Sequence, residues 1–353
     1  MRIYFYAGAC IPIHAYSLDE RPLGGTETGL IRVAAALQQR GYDVTVFTSH
    51  KSPPTSVPRY LPARMLLDAE ACDVFIAVQD WSGLFTAPIR SQRIFFWTGD
   101  GSEQYFNFGI GDLRSQQRID ILLTASNWHA DNLCSESGFP LEKTVVIGNG
   151  VHLPYFQGEE IRNRKRLIYT SAPYRGLALV PKIFQELKHR IPEVELSVIT
   201  GFKLYDRETP YQGREVQGIA GLLQLLAGLP GCFVQDNVKQ QQLAREYMKS
   251  GILFYPNTVR ETCCITALEA QAAGCPVVTS VLGALPETVG DGGFVVSGEP
   301  GSSQYQQAFI DITEKLLKEE DFWQEVSEQA RTRIAKSYSW EHVADRFERV
   351  LRS

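Results

Sequence analysis

Residues 260–280 read RETCCITALEAQAAGCPVVTS, and the order of residue types along that stretch decides the fold. Just before it, Ile252–Tyr255 is a short apolar run closed by Pro256, the mark of a buried strand. From Thr262 to Ala273 the residues are mostly small or apolar, with Glu269 and Gln271 among them and no Pro or Gly. This predicts a helix with Thr262 as its cap. Gly274 ends it, and Pro276–Thr279 predicts the next buried strand. Strand, helix and strand make one unit of a parallel sheet. Glu261 and Glu269 are a little over two helical turns apart, which puts both carboxylates on nearly one face, about 12 Å apart along the axis. The amides of the helix mouth, Cys263, Cys264, Ile265 and Thr266, offer N–H groups and a positive dipole to an anion. Two glutamates at this spacing are ordinarily solvated helix residues, so the surroundings must decide their role.

The same alternation extends in both directions. Ile3–Ala7 is a strand candidate, and Thr28–Gln39 sets Leu30, Ile31, Val33, Ala34 and Leu37 on one helical face before Gly41 stops it. Strands are expected at Asp43–Thr48, Val74–Val78, Arg93–Trp97, Ile121–Ala125 and Val145–Ile147. After the Asn149–Gly150 turn, Gly158 to Arg166 is polar and highly charged, the expected interdomain linker. The rhythm then restarts. Strands are expected at Leu167–Thr170, Glu195–Thr200, Cys232–Gln235 and Phe294–Val296. Helices are expected at Leu177–His189, Lys239–Met248, Ser303–Lys318, Glu320–Lys336 and Glu341–Leu351. Between Phe202 and Pro230 a helix behind a loop is expected. The predicted class is α/β, with two Rossmann-like α/β/α halves and a cleft between them. Ligands bind such sheets beyond the carboxyl ends of their strands. The expected boundaries are residues 1–157, 158–336 and a last helix within 337–353 that returns to the first half.

Composition narrows the function classes. The chain has 353 residues, 44% hydrophobic and 21% charged, with a formal net charge of −5. Two domains with substantial cores fit this length. No concentrated basic stretch is present, which argues against nucleic acid as a partner. The seven cysteines form no CxxC pair and no zinc-like cluster with histidine, so they are expected to be small buried side chains in a reducing cytosol. The first residues, MRIYFYAGAC, read as a strand rather than a signal peptide. No apolar run reaches membrane-spanning length.

The whole pattern from Tyr255 to Val278 resembles retaining GT-B glycosyltransferases of family GT4, whose signature is E-G-F-G-L-x-x-L-E-A-x-A-x-G-x-P-V-V. Both glutamates and the spacing are kept, while Thr262-Cys263-Cys264 replaces Gly-Phe-Gly. Gly24-Gly25-Thr26-Glu27, followed by Leu37, Gly41, Val44 and Val46, resembles the family's G-G-x-E element. In Ser171-Ala172-Pro173-Tyr174-Arg175-Gly176, Arg175 stands at the place of the family's phosphate-binding lysine, and Ser171 at about that of its arginine. In Phe96-Trp97-Thr98-Gly99-Asp100 the family's histidine is absent, with Gly99 in its place.

The resemblance implies a metal-independent, retaining hexosyl transfer from a nucleotide sugar, with UDP-glucose or UDP-N-acetylglucosamine favoured, to an acceptor hydroxyl. It implies Glu261, Arg175 and Asp100 as catalytic residues. Gly24, Gly25, Arg175, Val238, Cys263, Cys264, Ile265, Thr266 and Glu269 would contact the donor, Val238 at the base and Glu269 at the ribose. No cofactor and no metal are expected, because no Asp-x-Asp follows an apolar strand. The acceptor is open between a saccharide, a lipid-linked saccharide and a small molecule, in polysaccharide or glycolipid synthesis. The expected location is the cytoplasm, with contact at the inner membrane face left open. Two alternatives stand beside this: a non-catalytic nucleotide-sugar-binding module, and a UDP-sugar epimerase on the same fold.

Overall fold

The computed structural model describes residues 1–86, 89–201 and 214–353. They form two compact units, Met1–Gly150 with Trp340–Ser353, and Val151–Ser339. Among the described residues, no helix is long and apolar enough to cross a membrane.

The first unit holds strands β1 (Arg2–Ala7), β2 (Asp43–Thr48), β3 (Arg59–Pro62), β4 (Cys72–Val78), β5 (Ser91–Trp97), β6 (Ile121–Thr124) and β7 (Thr144–Val146). They lie in the order β3-β2-β1-β4-β5-β6-β7, every pairing parallel. Alternate residues of β1 serve opposite faces, as a period of two requires. Ile3, Phe5 and Ala7 enter one core with Leu30, Val33 and Leu37, whereas Tyr4 enters the other with Phe47 and Phe75. The short strand β3, which follows a Pro-rich stretch, was not anticipated.

Helix Trp340–Arg352 belongs to this unit. Phe347 packs edge-on against Trp97 at 5.1 Å, and Arg93 caps the last turn by donating to the carbonyls of Val350 and Leu351. A cation at the end of a helix dipole is favourable, and here it also satisfies orphan carbonyls.

The second unit holds β8 (Asn163–Tyr169), β9 (Glu195–Ile199), β10 (Cys232–Gln235), β11 (Ser250–Tyr255), β12 (Val277–Ser280) and β13 (Gly293–Val296). Their order is β10-β9-β8-β11-β12-β13, again parallel throughout. The order reverses between β8 and β11, which makes their carboxyl ends the switch point where open α/β sheets bind ligands. In the first unit the equivalent place lies between β1 and β4.

Several expected boundaries move. Residues 163–166 of the charged segment expected to be linker already belong to β8, because β9 and β11 flank the strand and its charged side chains find partners on neighbouring elements. Lys165 pairs with Glu193, and Arg166 with Glu246. The helix expected from Leu177 opens with a 3-10 turn, Leu177–Leu179, before the α-helix Val180–Arg190. Residues 202–213, where a loop was expected, lie outside the described residues; helix Arg214–Ala227 follows. The first-unit helix expected from Thr28 begins at Gly25, with Gly24 as its cap residue.

Candidate functional site

At the switch point of the second unit, the loop leaving β8 carries Arg175 and the segment leaving β11 carries Glu261. Arg175 Nη1 donates to both carboxylate oxygens of Glu261, at 2.6 and 2.5 Å. Tyr255, the last residue of β11, donates its hydroxyl to Glu261 Oε1 at 2.6 Å. The Glu261 side chain is 6% exposed and that of Arg175 30% exposed, so the pair is far drier than a surface salt bridge. Burial opposes the Arg175 charge, but Glu261 and the two nearby phenols outweigh it and raise its pKa well above the ordinary value. Nε points to the Tyr174 hydroxyl at 3.2 Å. Among the described residues Nη2 makes no hydrogen bond, which leaves that edge for a ligand.

Two glycines let the backbones come this close. Gly176 has φ +94°, and a Cβ there would collide with the carbonyl of Pro256. Gly283 has φ +64°, and a Cβ there would collide with the backbone of Glu261. Both positions favour glycine on conformation and on space.

The local structure around Glu261 corrects one expectation. Glu261 is not on the helix and shares no helical face with Glu269. It forms an isolated parallel bridge with Gly283, and its carbonyl accepts from Ala284 N at 2.7 Å. That long-range pairing holds Glu261 extended, so the helix starts only at Ile265, as Ile265–Ala272. Its cap residue is Cys264, not Thr262. Intrahelical bonding begins where Ala267 N reaches Cys264 O, so Ile265 and Thr266 supply the amides ahead of the first bond. Cys264 is buried in the core, and Cys263 packs beside Val151, Leu268 and Ile334.

Glu269 is also buried, and Gln240 Nε2 donates to its Oε1 at 2.7 Å. Gln240 escaped sequence reasoning; it opens helix Gln240–Lys249, and nothing in a QQQ run marks one glutamine over another. Val238, placed beside the base by resemblance, packs against the core of this unit.

The first unit gathers a separate set. Gly24 and Gly25 open helix Gly25–Gln39 after the long loop that follows β1. Glu27 is buried, and burial raises its pKa. Gln79, at the end of β4, has φ +70° and donates Nε2 to Asp100 Oδ2 at 3.3 Å. Asp100 follows β5, and its carbonyl accepts from Asn107 at 2.7 Å.

The sequence offered no histidine near Gly99, yet the fold brings His129 there. Its Nδ1 accepts from Ala125 N–H at 3.2 Å, so the ring proton sits on Nε2, which donates to Asp100 O at 2.8 Å. His129 is fully buried, and burial pushes its pKa down to about 4. The unfolded chain therefore takes up a proton below the ordinary value of 6.5, while the folded chain stays neutral. Stability that is complete above pH 6.5 falls as the pH drops towards 4, by about 3 kcal/mol from this one group. Denaturant midpoints across that window should show the loss, and His129→Gln should remove it. Equal slopes in both proteins would contradict the assignment.

Among the described residues, no three His, Cys, Asp or Glu side chains are placed to hold a metal ion.

Comparison with known proteins puts this geometry in context. Residues 157–333 match the family described as glycosyl transferases group 1. Among curated relatives, the lipopolysaccharide 1,2-N-acetylglucosaminetransferase of Salmonella typhimurium is 27% identical over 195 residues, 53% of this chain and 48% of that protein. The MMP alpha-(1->4)-mannosyltransferase of Mycolicibacterium hassiacum is 25% identical over 253 residues, 70% of this chain and 58% of that protein. The chain thus spans about half the length of the curated relatives it matches. Among solved structures, Anabaena HepE in complex with UDP-glucose superposes with a TM-score of 0.74 at 16% identity, over 99% of both chains. The fold is GT-B, as the sequence led one to expect. With half of its length matched by the family and the GT-B architecture throughout, the chain belongs to the glycosyl transferases group 1 family.

Proposed function

We propose that the chain is a glycosyltransferase that moves a hexosyl group from a nucleotide sugar to an acceptor hydroxyl, with UDP-glucose or UDP-N-acetylglucosamine as the favoured donors. The observation that carries this is the Arg175–Glu261 pair at the switch point of the second unit. It sets a guanidinium, a group able to hold a phosphate, beside a buried carboxylate, just ahead of a helix mouth. The names of the relatives support the reaction class, and the UDP-glucose held by Anabaena HepE supports the donor.

In this proposal the bond from the anomeric carbon to the diphosphate oxygen breaks as the acceptor oxygen bonds to the same face of that carbon. The acceptor proton passes to the departing diphosphate, so configuration is retained. The protein's main contribution is to stabilise the charge growing on the leaving group. The free edge of Arg175 and the amides of Ile265 and Thr266 would do this, and Glu261 would hold the sugar. Glu269, oriented by Gln240, would take the ribose hydroxyls. Acceptance of the saccharide would fall to the first unit, where Asp100 and Gln79 meet. No metal takes part in this scheme.

The test is a panel of sugar nucleotides incubated with purified protein, with released UDP or GDP measured. Slow hydrolysis of a UDP-sugar without acceptor, unaffected by EDTA, is the expected result. Release that strictly requires added divalent metal counts against the scheme. Tight UDP binding with no release from any donor, with or without a broad acceptor panel, favours a binding module. Conversion of one UDP-sugar into another favours an epimerase.

A further inference from the structure

The hydroxyl of Tyr255 lies at the hub of the second-unit site, and no role has been assigned to it. Its ring is fully buried at the end of β11 and stands edge-on to Tyr169, the last residue of the neighbouring β8, at 5.9 Å. Tyr169 donates its own hydroxyl to the carbonyls of Ala172 and Arg175, at 3.0 and 3.2 Å. The two phenols therefore stand side by side at the switch point. One holds the loop that carries Arg175; the other touches Glu261.

The direction of the hydrogen bonds is fixed by chemistry. An ionised carboxylate only accepts, so the Tyr255 proton must point at Glu261 Oε1. Ser171 Oγ–H then fills the phenol's acceptor side at 3.2 Å. The chain Ser171 to Tyr255 to Glu261 runs one way. Burial and then Glu261 raise the Tyr255 pKa well above the ordinary phenol range, so the donor proton stays in place. Glu261 Oε1 is thus held from two sides, by Arg175 and by Tyr255.

We infer that Tyr255 is a positioning residue, and that with Ser171 behind it the phenol fixes the orientation of the Glu261 carboxylate for its contact with the donor sugar. This rests on the proposed glycosyl transfer. A phenol hydrogen-bonded to a charged acceptor is among the stronger neutral-donor contacts, and a misplaced contact group is costly in the transition state. Arg175 holds the carboxylate through a side chain that is itself part-exposed. Tyr255 holds it from a rigid strand end.

The test uses the whole chain, with UDP-glucose and UDP-N-acetylglucosamine as probes. Tyr255→Phe removes one oxygen and keeps the ring. It is expected to lower kcat for UDP release by about 10- to 100-fold, with the donor KM changed less than about threefold. In a Glu261→Ala background the same substitution should have no further effect, because Tyr255 acts only through that carboxylate. A general loosening of the fold would lower turnover equally in both backgrounds. Ser171→Ala leaves the core untouched and should cost about three- to tenfold in kcat, which keeps the inference open to test should Tyr255→Phe fold poorly. Unchanged kcat in both Tyr255→Phe and Ser171→Ala, or an equal loss of turnover with and without Glu261, overturns the inference while the transferase proposal stands. No release by the wild-type chain from any sugar nucleotide of the donor panel overturns both.

Discussion

Glu261→Gln is expected to lower turnover by about 100- to 1000-fold while the protein remains folded. The substitution keeps the side chain's shape and removes its charge. In the native site that charge accepts three short contacts, two from Arg175 Nη1 and one from Tyr255. A neutral amide accepts them weakly and turns an NH2 group towards one of the donors. It also leaves a guanidinium without its counter-charge in a part-buried place. Losing one preorganised electrostatic contact in an active site costs about 2.7–4 kcal/mol of transition-state stabilisation, which is the expected fold-loss in kcat. Steady-state release of UDP, with circular dichroism to check the fold, gives the answer. Wild-type turnover in a folded variant would show that this carboxylate does not meet the reacting sugar.

Arg175→Ala should produce two effects that separate cleanly. The first is a loss of turnover of about 100-fold or more, because no second cation stands at Ser171 to neutralise the leaving diphosphate. The second is a fall in stability. Glu261 would stay buried with Tyr255 as its remaining donor from this set, and an under-paired buried carboxylate costs about 1–3 kcal/mol. The part-exposure of Arg175 keeps that figure below the one for a fully buried pair. Arg175→Lys returns the charge but not the planar fork. It should recover most of the stability and only part of the turnover. Chemical denaturation and donor hydrolysis, measured on the same preparations, report the two effects separately. A stable, fully active Arg175→Ala protein would remove Arg175 from the site.

The two predictions depend on features of unequal legibility. The strands on either side of the segment could be read directly, because strand periodicity is a local property of the chain, whereas Glu261 and Glu269 took on a role only through the resemblance of the pattern around them. Arg175 could be picked out only by its place in a resembling loop. The start of the helix was misread for a physical reason. Thr262 is a good cap by residue type, but Glu261 is bridged to Gly283, and that long-range contact delays the helix until Ile265, with Cys264 as its extended cap. Local preference lost to tertiary pairing. The charged start of β8 was misread in the same way: Lys165 and Arg166 look like linker until their acidic partners on neighbouring elements are known.

His129 and Gln240 were missed because their significance lies wholly in what they touch. His129 sits on a helix after a well-formed Ser126 cap, where a histidine carries no special signal. Only the parallel pairing of β5 with β6 brings it under Asp100.

By itself the sequence determined the two runs of alternating strand and helix, their parallel sheets, and the strand–helix–strand from Ile252 to Thr279, though not where Glu261 stands in it. Each of these follows from residue spacing within a few turns or a few strand residues. The tertiary structure decided which polar groups meet. Arg175 and Glu261 are 86 residues apart and touch because β8 and β11, which are not consecutive, are neighbours at the switch point. Tyr255 became the hub because the same adjacency set it between Ser171 and Glu261. Contacts of that kind depend on the order of strands in the sheet, which no local pattern of residues encodes.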